Sequence, residues 1–120
     1  MDISMIREYC LSLPLATEDM PFGDEVVTLR VCGKIFAMLS LADTTRVSLK
    51  CEPSYAEDLR ERHSSAICPA WHMNKRHWND VRLDSDLPSA LVFHLVRHSY
   101  NRVVSGLPAR ERKAVGLLDE

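Results

Sequence analysis

The chain has 120 residues, a formal net charge of −2, a hydrophobic content of 46% and a charged content of 27%. These values describe one folded domain over residues 1–120 and exclude a disordered chain, a collagen-like repeat and a disulfide-dense miniprotein. Because the net charge is negative, binding of nucleic acid through overall charge is also excluded, and any such site has to be a local patch.

The first half of the chain predicts one helix followed by three strands. Apolar side chains recur at helical spacing over residues 2–13, and Asp2 is the expected N-cap. Apolar and polar residues then alternate in three successive segments, as they do in strands with one buried face. These predicted strands cover residues 26–31, 35–41 and 46–51. The Cys32-Gly33-Lys34 segment predicts a tight hairpin turn, because glycine accepts the backbone angles that such turns need.

The second half predicts a helix from Pro53 to about His63, then a loop over residues 64–74 that has no clear period. Alternation from Trp78 to Leu83 indicates a further strand. The longest helix follows over residues 87–106, and a short final helix covers about 109–117. The inner stripe of the long helix is expected to be Val92, Val96, Tyr100 and Val103.

This order of elements predicts an α+β fold with two layers: an antiparallel sheet of four to five strands packed on the N- and C-terminal helices. One face of the sheet is expected to meet the helices. The side chains assigned to that face are Val27, Leu29, Val31, Ile35, Ala37, Leu39, Val47, Leu49, Val81 and Leu83. The opposite face would then carry Arg30, Phe36, Met38, Arg46, Ser48, Lys50, Trp78 and Arg82.

Cations mixed with aromatic rings on an exposed sheet are typical of surfaces on which nucleic-acid bases stack. The alternative is that Phe36, Met38 and Trp78 are covered by the 64–74 loop or by a helix. The two interpretations depend on register, since a slip by one residue exchanges the two faces of a strand.

Two further features suggest contacts to phosphate. Lys75, Arg76 and His77 place two fixed positive charges and one titratable group directly before Trp78. The Gly33-Lys34 turn would project a second lysine from a hairpin tip. Either feature alone is also typical of a solvated turn.

Other chemistry has little support in the sequence. Motifs of hydrolases, nucleotide-binding loops and metalloproteases are absent, so we predict a non-enzymatic protein with no catalytic residues. Cys68 and His72 lack a third group that would orient them as nucleophile and base. His94 and His98 have metal-ligand spacing but no third ligand, so their side of the last long helix is expected to be solvated or to face phosphate. We therefore predict no metal and no cofactor.

Compartment is indicated by what the sequence lacks. No stretch approaches the roughly 20 apolar residues of a membrane span, and the N-terminus does not have the pattern of a signal peptide. The four cysteines form no C-x-x-C pair and are expected to be reduced. These features predict a cytoplasmic protein that does not contact a membrane.

Several strings resemble the MmcQ/YjbR family across nearly the whole chain. They are Gly33-Lys34-Ile35-Phe36-Ala37, Val47-Ser48-Leu49-Lys50, the segment His72-Met73-Asn74-Lys75-Arg76-His77-Trp78, and Ser99-Tyr100. The resemblance implies a small bacterial protein with a frataxin-like (CyaY-like) fold and a "double wing" motif, described for the family as DNA-binding. The positions that match the family motifs are Lys34, Lys50, Asn74, Lys75, His77 and Trp78.

The hypothesis from sequence is a DNA-binding protein that uses the basic and aromatic sheet face together with the hairpin tips. Its candidate nucleic-acid-binding residues are Lys34, Lys50, Asn74, Lys75, Arg76, His77, Trp78 and Arg82. The alternative is a module that binds a protein partner or a small ligand through the same Trp78 and Phe36 surface.

Overall fold

The computed structural model describes residues 1–71 and 73–120, which form four helices and six strands. The helices are α1 (Ile3–Ser12), α2 (Pro53–Arg62), α3 (Ser89–Ser105) and α4 (Ala109–Val115). The strands are β1 (Ala16–Asp19), β2 (Val26–Val31), β3 (Lys34–Ser40), β4 (Arg46–Lys50), β5 (Ile67–Pro69) and β6 (Trp78–Arg82). His72, considered above as a base for Cys68, lies outside the described residues.

The strands form one sheet in the order β1-β2-β3-β4-β6-β5, and every neighbouring pair is antiparallel. The predicted α+β fold with an antiparallel sheet is confirmed, but the sheet has two edge strands that the sequence did not indicate. β1 consists of Ala-Thr-Glu-Asp, and β5 has three residues ending in Pro69. Both are short and pair on one side only, so neither shows the alternation of a half-buried strand.

The helices α1 and α3 cover one face of the sheet, with α3 across β3 and β4 and α1 against β1, β2 and β3. The expected inner stripe of α3 is buried, with Val96 and Tyr100 fully enclosed. Asp2 caps α1 as predicted, accepting a hydrogen bond from the Met5 amide at 3.0 Å. α2 is capped by Glu52, whose carboxylate accepts from the Ser54 and Tyr55 amides. These bonds lower the pKa of Glu52 to about 2.

A β-bulge in β3 changes which side chains face the helices. Leu29 pairs with Ala37, whereas the next residue Arg30 pairs with Ile35, so Phe36 is an extra residue in β3. Phe36 is fully buried and packs edge-to-face on Tyr100, with 5.3 Å between ring centroids. The assignment of Phe36 to the open face and Ile35 to the helix face was therefore wrong, because a bulge interrupts the alternation on which it relied.

The second face of the sheet borders the loop between β5 and β6, which supplies Met73 to two of its pockets. Met73 lines one pocket together with Met38 and Asp80 and a second pocket together with Trp78. Trp78 is only 9% exposed and Asp80 is 3% exposed. The expectation of an open aromatic platform on this face was therefore wrong for Trp78, because its side chain is buried.

The helices and cysteines add two structural facts. Across the described residues, no helix combines the length and the apolar character that a membrane crossing requires. All four cysteines are free, and Cys10 and Cys51 are buried, which raises the pKa of both thiols to about 12. These two thiols are protonated at neutral pH and act as small apolar groups of the core.

Candidate nucleic-acid interface

Most of the predicted site residues meet at one end of the sheet, which we call the cationic end. It is formed by the β2–β3 turn, the last residue of β4 and the loop that leads into β6. Cys32 and Gly33 both have positive φ (49° and 80°), as a two-residue type I′ turn requires. This turn places Lys34 beside Lys50, and both line one cleft. The cationic end consists of Lys34, Lys50, Asn74, Lys75, Arg76, His77 and Trp78, with Arg102 of α3 behind them.

Asn74 shapes the loop that carries the positive charges. Its carbonyl accepts hydrogen bonds from the His77 and Trp78 amides at 3.1 and 3.0 Å. Its side-chain Oδ1 accepts a bond from the Arg76 amide at 3.0 Å. The result is a closed turn in which the Lys75 and Arg76 side chains are exposed. Asn74 therefore has a positioning role that needs no contact with a ligand.

Arg60 of α2 ties the same loop to the body of the protein. Its guanidinium donates to the Lys75 carbonyl and, at 2.6 Å, to Asn79 Oδ1. Asn79 is buried, and its amide donates in turn to the Ala56 carbonyl. This chain of hydrogen bonds holds the loop against α2, so Lys75 and Arg76 project from a supported turn.

The exposed aromatic ring of this region is Trp71, which the sequence analysis did not select. Trp71 is 69% exposed, and the Lys75 ammonium lies 5.4 Å from its ring centroid. Trp78, by contrast, pairs with Lys50 in the sheet and is buried. The signal that favours Trp71 is its position in the irregular 64–74 loop, outside the strands β5 and β6.

Two adjoining clefts open at the cationic end, with volumes of about 470 and 540 Å³. They share Lys50, Trp78, Arg102 and Gly106 along their common border. Neither cleft is lined by an Asp or Glu side chain among the described residues. The clefts are therefore positively charged concave surfaces, although the whole chain is slightly acidic.

The lysines and Arg76 of the cationic end differ from other cations of the protein in their pairing. Considering residues 1–71 and 73–120, Lys34, Lys50, Lys75 and Arg76 form no ion pair. Arg30 nearby differs, because its guanidinium pairs with Asp19 at 2.9 Å and bonds the Gly33 carbonyl. Arg30 thus braces the turn that carries Lys34.

The structure does not bring Arg82 together with the other predicted site residues. Arg82 ends β6 at the opposite end of the sheet, where it forms two hydrogen bonds to Asp84 at 3.0 and 2.9 Å. Its register neighbour Arg46 pairs with Asp80 at 2.7 Å and with Asp43 at 3.2 Å. We call this region the paired end, because both of its arginines are bound to carboxylates.

The polar side of α3 was expected to be solvated or to face phosphate, and this expectation was wrong for most of it. His98 donates through Nδ1 to Glu120 at 2.7 Å, since its Nε2 accepts from the Glu52 amide. Asn101 is buried and exchanges two hydrogen bonds with the Leu118 backbone. Burial alone would raise the pKa of Glu120, but bonds from Asn101 and His98 outweigh it and lower that pKa. This side of α3 holds the last residues of the chain.

Comparison with known proteins agrees with the sequence resemblance. The YjbR family model matches residues 11–102. The Escherichia coli K12 protein YjbR, described as uncharacterized, is 37% identical over 114 residues, which cover 94% of this chain and 96% of the relative. The uncharacterized protein YbdF of E. coli O157:H7 is 34% identical over 110 residues, covering 91% and 89% of the two chains.

Solved structures show the same fold. The crystal structure of the Deinococcus radiodurans protein DR2400, whose family-model domain is DUF419, superposes with a TM-score of 0.88 at 36% identity. It covers 98% of this chain and 90% of the DR2400 chain. A Pseudomonas syringae protein with a TM-score of 0.70 and 24% identity, covering 82% and 96% of the two chains, shares the fold. From the matched residues and these relatives, the chain belongs to the YjbR family.

Proposed function

We propose that this protein binds DNA through the cationic end. Lys34, Lys50, Lys75 and Arg76 contact backbone phosphates, and Trp71 stacks on a base. The observation that carries the proposal is the presence, at one end of the sheet, of four cations that have no ion-pair partner among the described residues. Lys34 and Lys50 line one cleft, and Lys75 and Arg76 lie in the loop whose Asn74 and His77 line the adjoining cleft. Concentrated charge of this kind attracts phosphates locally even when the net charge is negative.

The supporting residues divide the work at this surface. Lys34 extends from a hairpin tip, and Lys75 and Arg76 extend from the Asn74 turn, so the three charges lie on two separate projections. The buried Trp78 and the Asn74 turn hold the loop in place, and His77 lines the same cleft as Lys50. A base stacked on Trp71 adds about 1–3 kcal/mol to binding.

The proposed function is binding and not catalysis. The proposed location of the protein is the cytoplasm. The four free cysteines are consistent with a reducing compartment. The lack of a membrane-crossing helix in the described part of the chain is compatible with the same location.

Salt dependence of DNA binding tests the proposal. A fluorescent 20-base-pair duplex and the matching single strand are titrated with protein at several salt concentrations. We expect the slope of log K against log salt to fall in magnitude by about 2 in the Lys75→Ala/Arg76→Ala variant, since each phosphate contact contributes about 0.9. The matched control is Arg110→Ala/Lys113→Ala on α4, which should bind as the wild type does. Absence of binding at low salt, or equal losses in both variants, contradicts the proposal.

A protein partner is the second candidate, and the exposure of Trp71 favours it. The surface that the sequence suggested for such a partner was formed by Phe36 and Trp78, but both side chains are buried. An exposed Trp beside Lys75 and Arg76 is, however, typical of binding hot spots between proteins. Binding to a protein through this surface would be lost in Trp71→Ala and would depend only weakly on salt. The first candidate instead predicts binding to DNA that weakens strongly as salt is added and that is only reduced in Trp71→Ala.

A further inference from the structure

Arg102 on the last turn of α3 has an unsatisfied hydrogen-bonding group. Its Nε is buried and has no hydrogen-bond partner in the described part of the chain. Buried N–H groups in proteins almost always have a partner, often an ordered water, so the Arg102 Nε–H is a donor that a bound molecule can satisfy. The Glu52 carboxylate interacts electrostatically with Arg102, but it is already bound by the Ser54 and Tyr55 amides.

The surroundings of Arg102 are suited to an anion. The smaller cleft, of about 470 Å³, brings Arg102 together with Lys50, His77 and Asn74. Asn74 uses its Oδ1 for the Arg76 amide, which leaves its side-chain NH₂ as a donor. No carboxylate lines the cleft among the described residues. The cleft therefore offers several hydrogen-bond donors and positive charge, with no competing acid.

The end of α3 influences where an anion would lie. Helix C-termini carry partial negative charge, and Gly106 at this end also lines the cleft. An anion is therefore held away from the last carbonyls, on the side of Lys50 and His77. Arg102 bridges the two sides, because it lies in the last helical turn and borders both clefts.

We propose that this cleft binds a single phosphate group, with Arg102 and Lys50 as the main contacts and His77 and Asn74 as additional donors. The guanidinium suits a phosphate because its planar donors match two phosphate oxygens at once. That the phosphate belongs to a nucleic-acid strand rests on the proposed function, whereas the phosphate site itself rests on Arg102 and the cleft. A free phosphate or a mononucleotide shares the same chemistry.

Titration with inorganic phosphate at constant ionic strength tests the site. Backbone amide and Arg Nε–H resonances are followed by ¹H–¹⁵N NMR, with chloride replaced stepwise by phosphate. We expect saturable shifts at the Arg102 Nε–H and at the amides of Lys50, 74–78 and 105–106. The Arg102→Gln variant should weaken binding about tenfold or more, because it removes a charged hydrogen bond.

Controls separate a lost contact from a lost fold. Arg110→Gln on α4 should leave phosphate binding unchanged. Lys50→Gln should weaken phosphate binding, and because Lys50 lies on β4, this loss cannot come from a disturbed last turn of α3. Melting curves of all variants identify any that fail to fold. Shifts that do not saturate, shifts of equal size at every exposed cation, or wild-type affinity in both Arg102→Gln and Lys50→Gln overturn the proposal.

A second arm identifies the source of the phosphate. A short single strand with a 5′-phosphate is compared with the same strand lacking it and with a nucleoside monophosphate. Tighter binding of the phosphorylated strand, lost in Arg102→Gln, assigns the cleft to a strand end, and binding of the mononucleotide alone assigns it to a small ligand. Phosphate binding without DNA binding overturns the proposed function only. DNA binding without saturable phosphate binding overturns this site only.

Discussion

The two ends of the sheet use positive charge in opposite ways. At the paired end, Arg46 and Arg82 are neighbours in register and both are bound to aspartates. At the cationic end, Lys50 occupies the corresponding last position of β4 and forms no ion pair within the described residues. The comparison indicates that arginines at one end serve the fold, whereas the cations at the other end remain available for a ligand.

The largest expected effect concerns Phe36, which anchors the hairpin of the cationic end to α3. Phe36→Ala should destabilise the protein by about 3–5 kcal/mol, because it removes a fully buried ring and leaves a cavity against Tyr100. Urea denaturation measures the loss. Met38→Ala, on the opposite face of β3 and only partly buried, is the matched control and should cost clearly less. Equal losses in the two variants would contradict the placement of Phe36 by the bulge.

A smaller effect is expected for Arg46 at the paired end. Its guanidinium bonds Asp80, whose side chain is 4% exposed, so Arg46→Ala leaves a buried carboxylate without its cation. We expect a loss of about 2–3 kcal/mol in the free energy of unfolding. Lys50→Ala at the cationic end should change stability by less than about 0.5 kcal/mol and should weaken DNA binding instead. The contrast between the ends fails if Lys50→Ala proves the more destabilising of the two.

The smallest effect is the acid response of the paired end. The hydrogen bonds from Arg82 lower the pKa of Asp84, and the Thr45 hydroxyl lowers that of Asp43. Because both folded pKa values lie below the ordinary value of 3.8, the stability they contribute is complete above pH 3.8 and is lost as the pH falls through the lowered values. Carboxyl NMR titration should place both midpoints below 3.8 in the wild type.

The Arg82→Ala variant provides the control for this titration. Its Asp84 midpoint should return to the ordinary range while that of Asp43, held mainly by Thr45, changes little. An Asp84 midpoint that is unchanged in Arg82→Ala would show that the ion pair does not form in solution.

Long periodic segments were predictable from sequence, and local irregularities were not. The three central strands and α3 carry enough alternating or helical apolar residues to define their faces. The bulge is different, because Ile35 and Phe36 are both apolar and nothing in their order says which one is extra. β1 and β5 were missed for a related reason, since short edge strands bury little and need no apolar pattern.

The candidate site was predictable in its charges but not in its aromatic ring. The cluster of positive charge is contiguous in the sequence, since Lys75, Arg76 and His77 directly precede Trp78. Their proximity could therefore be predicted without knowledge of the fold. Which tryptophan is exposed depends on the tertiary packing around each ring: Trp78, at the start of β6, is buried, whereas Trp71 in the loop before it is 69% exposed. Arg102 joins the site only because α3 ends beside β4, a contact between residues about 50 positions apart.

The most direct test of the two-ended account is a map of the DNA contact surface in solution. A ¹H–¹⁵N NMR titration of the labelled protein with a short duplex reports every backbone amide at once. The account predicts shifts at Gly33, Lys34, Lys50 and residues 73–78, with little change at 42–46 and 82–85. Shifts concentrated at the paired end, or distributed evenly over both ends, would contradict it.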